Sequence, residues 1–169
     1  MTRAEIVALI DHRICWAGPR EHPYIRGLTV RQPFASMIAE GEKTIELRTM
    51  RTHYRGALII HAGLDDSLLE SLDDCRDGRY PRGCTVGIAR IADCRHLEPD
   101  DAVAAGMDPR LWPRHWDGGP PSWIDDVWGW VLDDVTPLPE VGLRGRQGLW
   151  KPTRQELWTI RSAVTDGQA

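Results

Sequence analysis

The side chains with the clearest potential for chemistry lie in one short stretch that contains Lys43, Glu46 and Arg48. A lysine and an arginine this close together can hold a phosphate group, and a carboxylate between them can orient the arginine or accept a hydrogen bond from a base edge. Apolar and polar side chains alternate along residues 43–48, which predicts a strand with one face in a core and the other in a groove. We therefore expect Lys43 and Arg48 to face the groove.

A structural role is the alternative for the acid and the arginine. Glu46 and Arg48 can pair with each other and with backbone groups to close one end of a sheet. The two interpretations differ in the expected effect of Arg48→Ala. Loss of binding with an unchanged melting temperature indicates a binding residue, whereas loss of both indicates a residue that supports the fold.

A short helix and two strands are predicted to position this stretch. Pro33 and Gly41 mark the two ends of a helix over residues 34–40, since proline favours the first turn and glycine follows the last. Strands are predicted at residues 25–30 and, as a buried apolar run bounded by glycines, at residues 57–61.

His61 is the polar exception in that run. We interpret it as a core histidine bonded to a backbone carbonyl, and keep it as a candidate for proton transfer.

The spacing Gly-x-Lys-x-x-Glu-x-Arg at residues 41–48 resembles the motif of the ASCH domain, a member of the PUA-like superfamily. The flanking residues 32–35 and 54–56 match the same pattern, and residues 145–150 resemble the closing strand of that domain. The resemblance implies a PUA-like β-barrel flanked by helices. It also implies a cleft beside the motif that holds RNA or a nucleotide.

The charge distribution agrees with a local positive cleft on an acidic protein. The net charge of −4 argues against binding nucleic acid by bulk electrostatics. Basic residues collect around the motif and again near residues 144–154, while the acidic residues collect elsewhere. The residues we expect to contact nucleic acid are Lys43, Glu46, Arg48, Arg51, Arg55, Arg31 and Arg146.

An enzyme is the competing class of function. The resemblance extends to amidohydrolases that act on acylated cytidine, in which the motif lysine, a threonine three residues later and a distant glutamate are catalytic. Here Glu46 occupies the position of that threonine, so we do not expect deacylation. The resemblance also extends to ribonucleases. In a ribonuclease Lys43 would stabilise charge on phosphorus, and His61 or Glu46 would move a proton.

The remaining pattern predicts one α+β domain with a small curled mixed barrel and short flanking helices. We expect residues 1–24 to form an N-terminal helix and linker packed on the barrel, residues 25–164 to form the ASCH domain, and residues 165–169 to fray. A Trp-rich loop is predicted at residues 107–122. Further helices are predicted at 3–14, 99–105 and from 153, and further strands at 84–93, 127–135 and 147–150.

No cofactor, metal or membrane partner is expected. The four cysteines are too irregularly spaced for zinc knuckles, and the first twenty residues carry charges that exclude a secretory or membrane-spanning segment. These observations predict a cytoplasmic protein. A monomer is favoured, with RNA or a nucleotide as its partner.

Overall fold

The fold is that of a computed structural model, which describes residues 1–15, 25–70, 78–107 and 126–167. The linker part of the predicted N-terminal segment 1–24, from residue 16 onward, and, apart from Met107, the predicted Trp-rich loop lie outside these ranges. The helices are α1 (Arg3–Cys15), α2 (Phe34–Ala39), α3 (Ser67–Glu70) and α4 (Arg154–Asp166), with a short 3-10 helix at Pro99–Asp101. The strands are β1 (Arg26–Val30), β2 (Ile45–Arg48), β3 (Ala57–Ala62), β4 (Cys84–Arg95), β5 (Trp128–Pro137) and β6 (Leu149–Trp150).

The six strands form one mixed, curled sheet in the order β2-β5-β4-β3-β1-β6. Strand β1 runs parallel to β3, and the other neighbouring pairs are antiparallel. The register between β3 and β4 shifts beside Gly87, a residue type that often marks such an irregularity. The predicted α+β class, with a curled mixed sheet and short flanking helices, is therefore confirmed.

Helices cover both faces of the sheet. On one face Ile6 and Ile10 of α1 and Ile160 of α4 pack against the sheet in one buried cluster. On the other face Ile38 of α2 packs in a second cluster that includes Trp130. All six residues of β3 are buried, as its apolar run predicts, and each fully buried aliphatic side chain contributes about 1.5–3 kcal/mol to stability. Within the described ranges, no helix is both long and apolar enough to cross a bilayer.

The ends of α2 place the start of the motif. The Gln32 side chain, which is fully buried, accepts a hydrogen bond from the Ser36 amide at 3.0 Å and donates to the Pro81 carbonyl at 2.8 Å. Gly41 has φ of 79°, a left-handed conformation that ends the helix at little steric cost. The predicted helix between Pro33 and Gly41 is confirmed, and its first residue, Phe34, reaches the cleft described below.

Two predicted elements differ from the structure. The helix predicted at residues 99–105 is a 3-10 turn at Pro99–Asp101 followed by further turns, and Gly106 with φ of 69° ends the segment. The strand predicted at 147–150 shortens to Leu149–Trp150. The residues before it leave the sheet to make contacts with β1 and β3.

Tyr54 makes the stability of the fold sensitive to alkaline pH. Its hydroxyl donates to the Ala57 carbonyl at 2.7 Å, and burial raises the pKa of Tyr54 to about 12. In the unfolded chain a tyrosine ionises near pH 10, so between about pH 10 and about pH 12 only the folded chain retains this proton. The free energy of unfolding should therefore fall as the pH rises through this window. Tyr54→Phe should flatten the fall in urea titrations across the window, and an equally steep fall in Tyr54→Phe would refute the assignment.

Candidate functional site

A cleft of about 930 Å³ opens at one end of the sheet. Its walls come from the end of β1, the start of α2, strand β2, His61 of β3, Trp130 of β5 and the segment of residues 143–148. Strands β1 and β2 are not neighbours in the sheet, yet Arg48 of β2 donates to the Thr29 carbonyl of β1 at 3.0 Å. The curl of the sheet therefore brings polar groups from distant strands to the same cleft.

Arg48 and Glu46 form the centre of one wall. The Glu46 carboxylate lies 2.8 Å from Arg48 Nη2 and 3.5 Å from Lys43 Nζ, and the Arg48 guanidinium carbon lies 6.0 Å from the centre of the Trp130 ring. Arg48 Nε is buried and has no hydrogen-bond partner in the part of the chain that the structure describes. Nη2 of Arg48 is thus committed to the fold, while its Nε donor is unused among the described residues.

His61 provides an unused acceptor in the same cleft. The ring is 1% exposed, and Nε2 lies 3.0 Å from the Leu143 carbonyl, which can only accept, so Nε2 carries the hydrogen. The predicted bond to a backbone carbonyl is confirmed for this nitrogen. In the neutral form of the ring the lone pair is on Nδ1, which finds no partner among the described residues. A Cβ on Gly145 would lie 2.8 Å from His61 Cε1, so only glycine fits beside the ring.

Residues 143–148 form the opposite wall and are attached to β1 and α4. The Arg146 amide donates to Thr29 Oγ1 at 3.1 Å, and the Arg146 guanidinium pairs with Glu156 at 2.7 Å. Arg144 also lines the cleft and is exposed. Over the ranges that the structure covers, no carboxylate lies within ion-pair distance of Arg144. Its charge is therefore available to a ligand.

Lys43 is not in the cleft wall, and its expected orientation toward the groove is wrong. The side chain is 2% exposed, and Nζ donates to the Ile45 carbonyl at 2.6 Å and to the Ala105 carbonyl at 2.5 Å. Burial lowers the pKa of Lys43, and the Glu46 carboxylate opposes that shift. The reason for the difference is local. Strand β2 begins at Ile45, so Lys43 lies in the preceding turn, where strand alternation does not apply.

The structure divides the expected site residues into two groups. Arg31, Glu46, Arg48, Arg146 and the proton-transfer candidate His61 line the cleft. Lys43, Arg51 and Arg55 do not. Arg55 pairs with Asp93 at 2.9 Å on the outer surface, and the Arg51 guanidinium carbon lies 5.2 Å from the centre of the Trp128 ring.

Several lining residues were not expected from the sequence. Phe34, Trp130 and Arg144 supply two aromatic walls and an unpaired cation. Arg144 belongs to the basic run near residues 144–154, and that run was the feature of the sequence from which its place in the cleft could have been predicted. The described ranges contain no group of three or more His, Cys, Asp or Glu side chains suited to a metal. The arrangement can bind a neutral group that both donates and accepts hydrogen bonds, with an anion nearby.

Comparisons with known proteins identify the domain. The sequence profile of the ASCH domain matches residues 28–125, which is more than half of the 169 residues. A crystal structure of ASCH from Zymomonas mobilis superposes with a TM-score of 0.55 at 14% identity, covering 83% of this chain and 96% of that one. Two of its single-residue mutants give TM-scores of 0.54 at 15% identity and 0.53 at 14% identity, with coverage of 83% and 82% of this chain and 96% of each of theirs. At such identities the likeness concerns the fold alone. No curated protein matches the chain in sequence.

Proposed function

The chain belongs to the ASCH domain family, and from that premise we propose that its cleft binds single-stranded RNA or a nucleotide. A base would enter the cleft, and a phosphate would remain near Arg144. The observation that carries this proposal is the presence of two unpaired buried polar atoms of opposite type, Arg48 Nε and His61 Nδ1, in one cleft.

Unpaired buried polar atoms point to a missing partner. More than nine in ten buried polar groups in proteins are hydrogen-bonded, and a buried group left without a partner costs about 1–3 kcal/mol. The edge of a base offers both acceptors and N–H donors, which are the two types of partner that Arg48 Nε and His61 Nδ1 lack. A phosphate diester offers only acceptors and would leave His61 Nδ1 unpaired. This difference favours a base in the floor of the cleft.

The charges around the cleft limit how many phosphates can be bound. Three of its arginines are compensated within the fold, because Arg31 pairs with Asp65 at 3.0 Å, Arg48 with Glu46 and Arg146 with Glu156. Arg144 is not compensated in this way. We therefore infer contact with about one or two phosphates, and an affinity set more by the base than by bulk charge.

The first test is a titration with labelled single-stranded RNA at two or more salt concentrations. The logarithm of the affinity should fall with the logarithm of the salt concentration with a slope of roughly −1, since each neutralised phosphate contributes about −0.7 for a single strand. Arg144→Gln should make the slope shallower by about 0.7. The matched control is Arg90→Gln, an exposed arginine of β4 outside the cleft, which should leave the slope unchanged. Absence of binding at low salt would refute the proposal.

Cleavage of bound RNA is a second candidate. One observation favours it, which is that Glu46 and His61, two groups that can move a proton, line the same cleft. Analysis of RNA products after incubation with the protein distinguishes cleavage from binding alone. The geometry gives no comparable support to deacylation, because Lys43 Nζ is bonded to two carbonyls and Glu46 occupies the position expected for the hydroxyl.

A further inference from the structure

A second cluster of planar side chains lies just outside the cleft. The Arg51 guanidinium carbon is 5.2 Å from the centre of the Trp128 ring, and the His96 and Trp128 ring centres are 4.0 Å apart with an interplanar angle of 38°. Arg51 and His96 are exposed, whereas Trp128 is partly buried beneath them. These three residues are called the Trp128 platform. The planar groups of Arg51 and His96 are therefore accessible to solvent, and the partly buried Trp128 ring supports them.

The Trp128 platform lies on the same face of the sheet as the cleft wall. In the antiparallel pair of β2 and β5, Glu46 is opposite Trp130 and Arg48 is opposite Trp128. Side chains directly opposite each other, and those two residues apart on one strand, share a face. Trp128 is therefore the next aromatic side chain after Trp130 along that face. The two positions are separated by about 7 Å of strand, a distance that adjacent nucleotides can span.

The guanidinium of Arg51 lies near the Trp128 ring but has no ion-pair partner among the described residues. The carboxylates that the structure places all lie beyond ion-pair distance of its guanidinium. Nearby Arg55 differs, because it pairs with Asp93. An exposed guanidinium with no carboxylate partner among the described residues, close to an aromatic ring, can both stack under a base and neutralise a phosphate.

Met50 connects the two positions. It lines the cleft, is 63% exposed, and directly precedes Arg51. Its carbonyl accepts a hydrogen bond from Trp130 Nε1 at 3.0 Å, which fixes the backbone where it passes between the cleft and the Trp128 platform. A nucleic-acid strand that leaves the cleft past Met50 would contact this apolar side chain first and the exposed Arg51 and His96 next.

We propose that the Trp128 platform holds the nucleotide adjacent to the one in the cleft. The ligand is accordingly a single strand of at least two nucleotides, and a free mononucleotide would fill only half of the binding surface. This inference rests on the proposed function of the cleft. Base stacking on such groups is sequence-tolerant, so the Trp128 platform adds affinity and leaves discrimination between bases to the cleft.

Fluorescence titrations with the four mononucleotides and with dinucleotides and tetranucleotides of mixed sequence test the inference. For the wild-type protein the affinity should rise about tenfold or more from mononucleotide to dinucleotide, as expected for one additional stacked base. Arg51→Gln together with His96→Ser should remove this gain. Both residues are exposed, so melting temperatures should stay near the wild-type value. Arg90→Gln, which is remote from both positions, should retain the gain.

The outcomes separate this inference from the function on which it rests. If mononucleotides and dinucleotides bind with the same affinity, the Trp128 platform does not bind a nucleotide. If the double variant retains the gain, Arg51 and His96 do not hold the second nucleotide and the inference fails as stated. In both cases the cleft assignment stands. If no nucleotide or RNA binds at low salt, the proposed function itself is overturned, and the inference with it.

Discussion

Lys43→Ala is expected to lower the free energy of unfolding by about 3–5 kcal/mol, the cost of removing one partner from a buried ion pair. The ammonium group bonds the Ile45 and Ala105 carbonyls and lies 3.5 Å from Glu46. Its removal leaves two carbonyls without that donor and leaves Glu46 with Arg48 as its one ion-pair partner among the described residues. Urea unfolding followed by circular dichroism measures the loss.

The other lysine in the chain is the matched control. Lys151 is exposed, and Lys151→Ala should change the free energy of unfolding by no more than about 0.5 kcal/mol. Comparable stability of Lys43→Ala and Lys151→Ala would mean that the buried contacts of Lys43 contribute little. Any loss of RNA binding in Lys43→Ala has to be measured at a temperature and urea concentration where the variant is folded.

Arg48→Ala is expected to reduce RNA affinity by at least about tenfold and to lower the melting temperature at the same time. The loss of affinity follows from removing the Nε donor, because a hydrogen bond involving a charged group contributes about 1.5–3 kcal/mol. The loss of stability follows from the bonds to Glu46 and to the Thr29 carbonyl. A cost of about 2 kcal/mol corresponds to roughly 4–8 °C in a domain of this size. Thermal melts and RNA titrations on the same samples measure both effects.

Arg48→Lys separates the two roles. A lysine retains the charge and can reach Glu46 or the Thr29 carbonyl, but it has no equivalent of the Nε donor. We expect Arg48→Lys to recover most of the melting temperature and little of the affinity. Wild-type affinity in Arg48→Lys would show that Nε does not contact the ligand and that Arg48 acts only through the fold.

Elements whose ends depend on single residues could be predicted from the sequence. Pro33 and Gly41 locate α2, and the Thr153–Glu156 capping box locates the start of α4, where Thr153 Oγ1 accepts from the Glu156 amide at 3.2 Å. These signals act over one helical turn, so no knowledge of tertiary packing is needed.

The geometry of the cleft could be predicted only in part, because its decisive contacts are non-local. The motif correctly located Glu46 and Arg48 in the cleft, yet the partner that turns Lys43 inward, the Ala105 carbonyl, is 62 residues away. Nothing in the local pattern indicates that Leu143 bonds His61 across 82 residues. Arg51 was expected to contact nucleic acid together with Arg48, but the chain turns after β2 and places Arg51 near Trp128 instead of in the cleft wall.

The pairing of β1 with β6 has a consequence for protein synthesis. Gly27 pairs with Trp150, and the cleft wall of residues 143–148 directly precedes that strand. Translation delivers the motif long before it delivers this wall. A nascent chain that carries Glu46 and Arg48 but not residues 143–150 lacks the carbonyl that holds His61 and the cation at Arg144. If the cleft binds RNA as proposed, this binding must wait until strand β6 has left the ribosome.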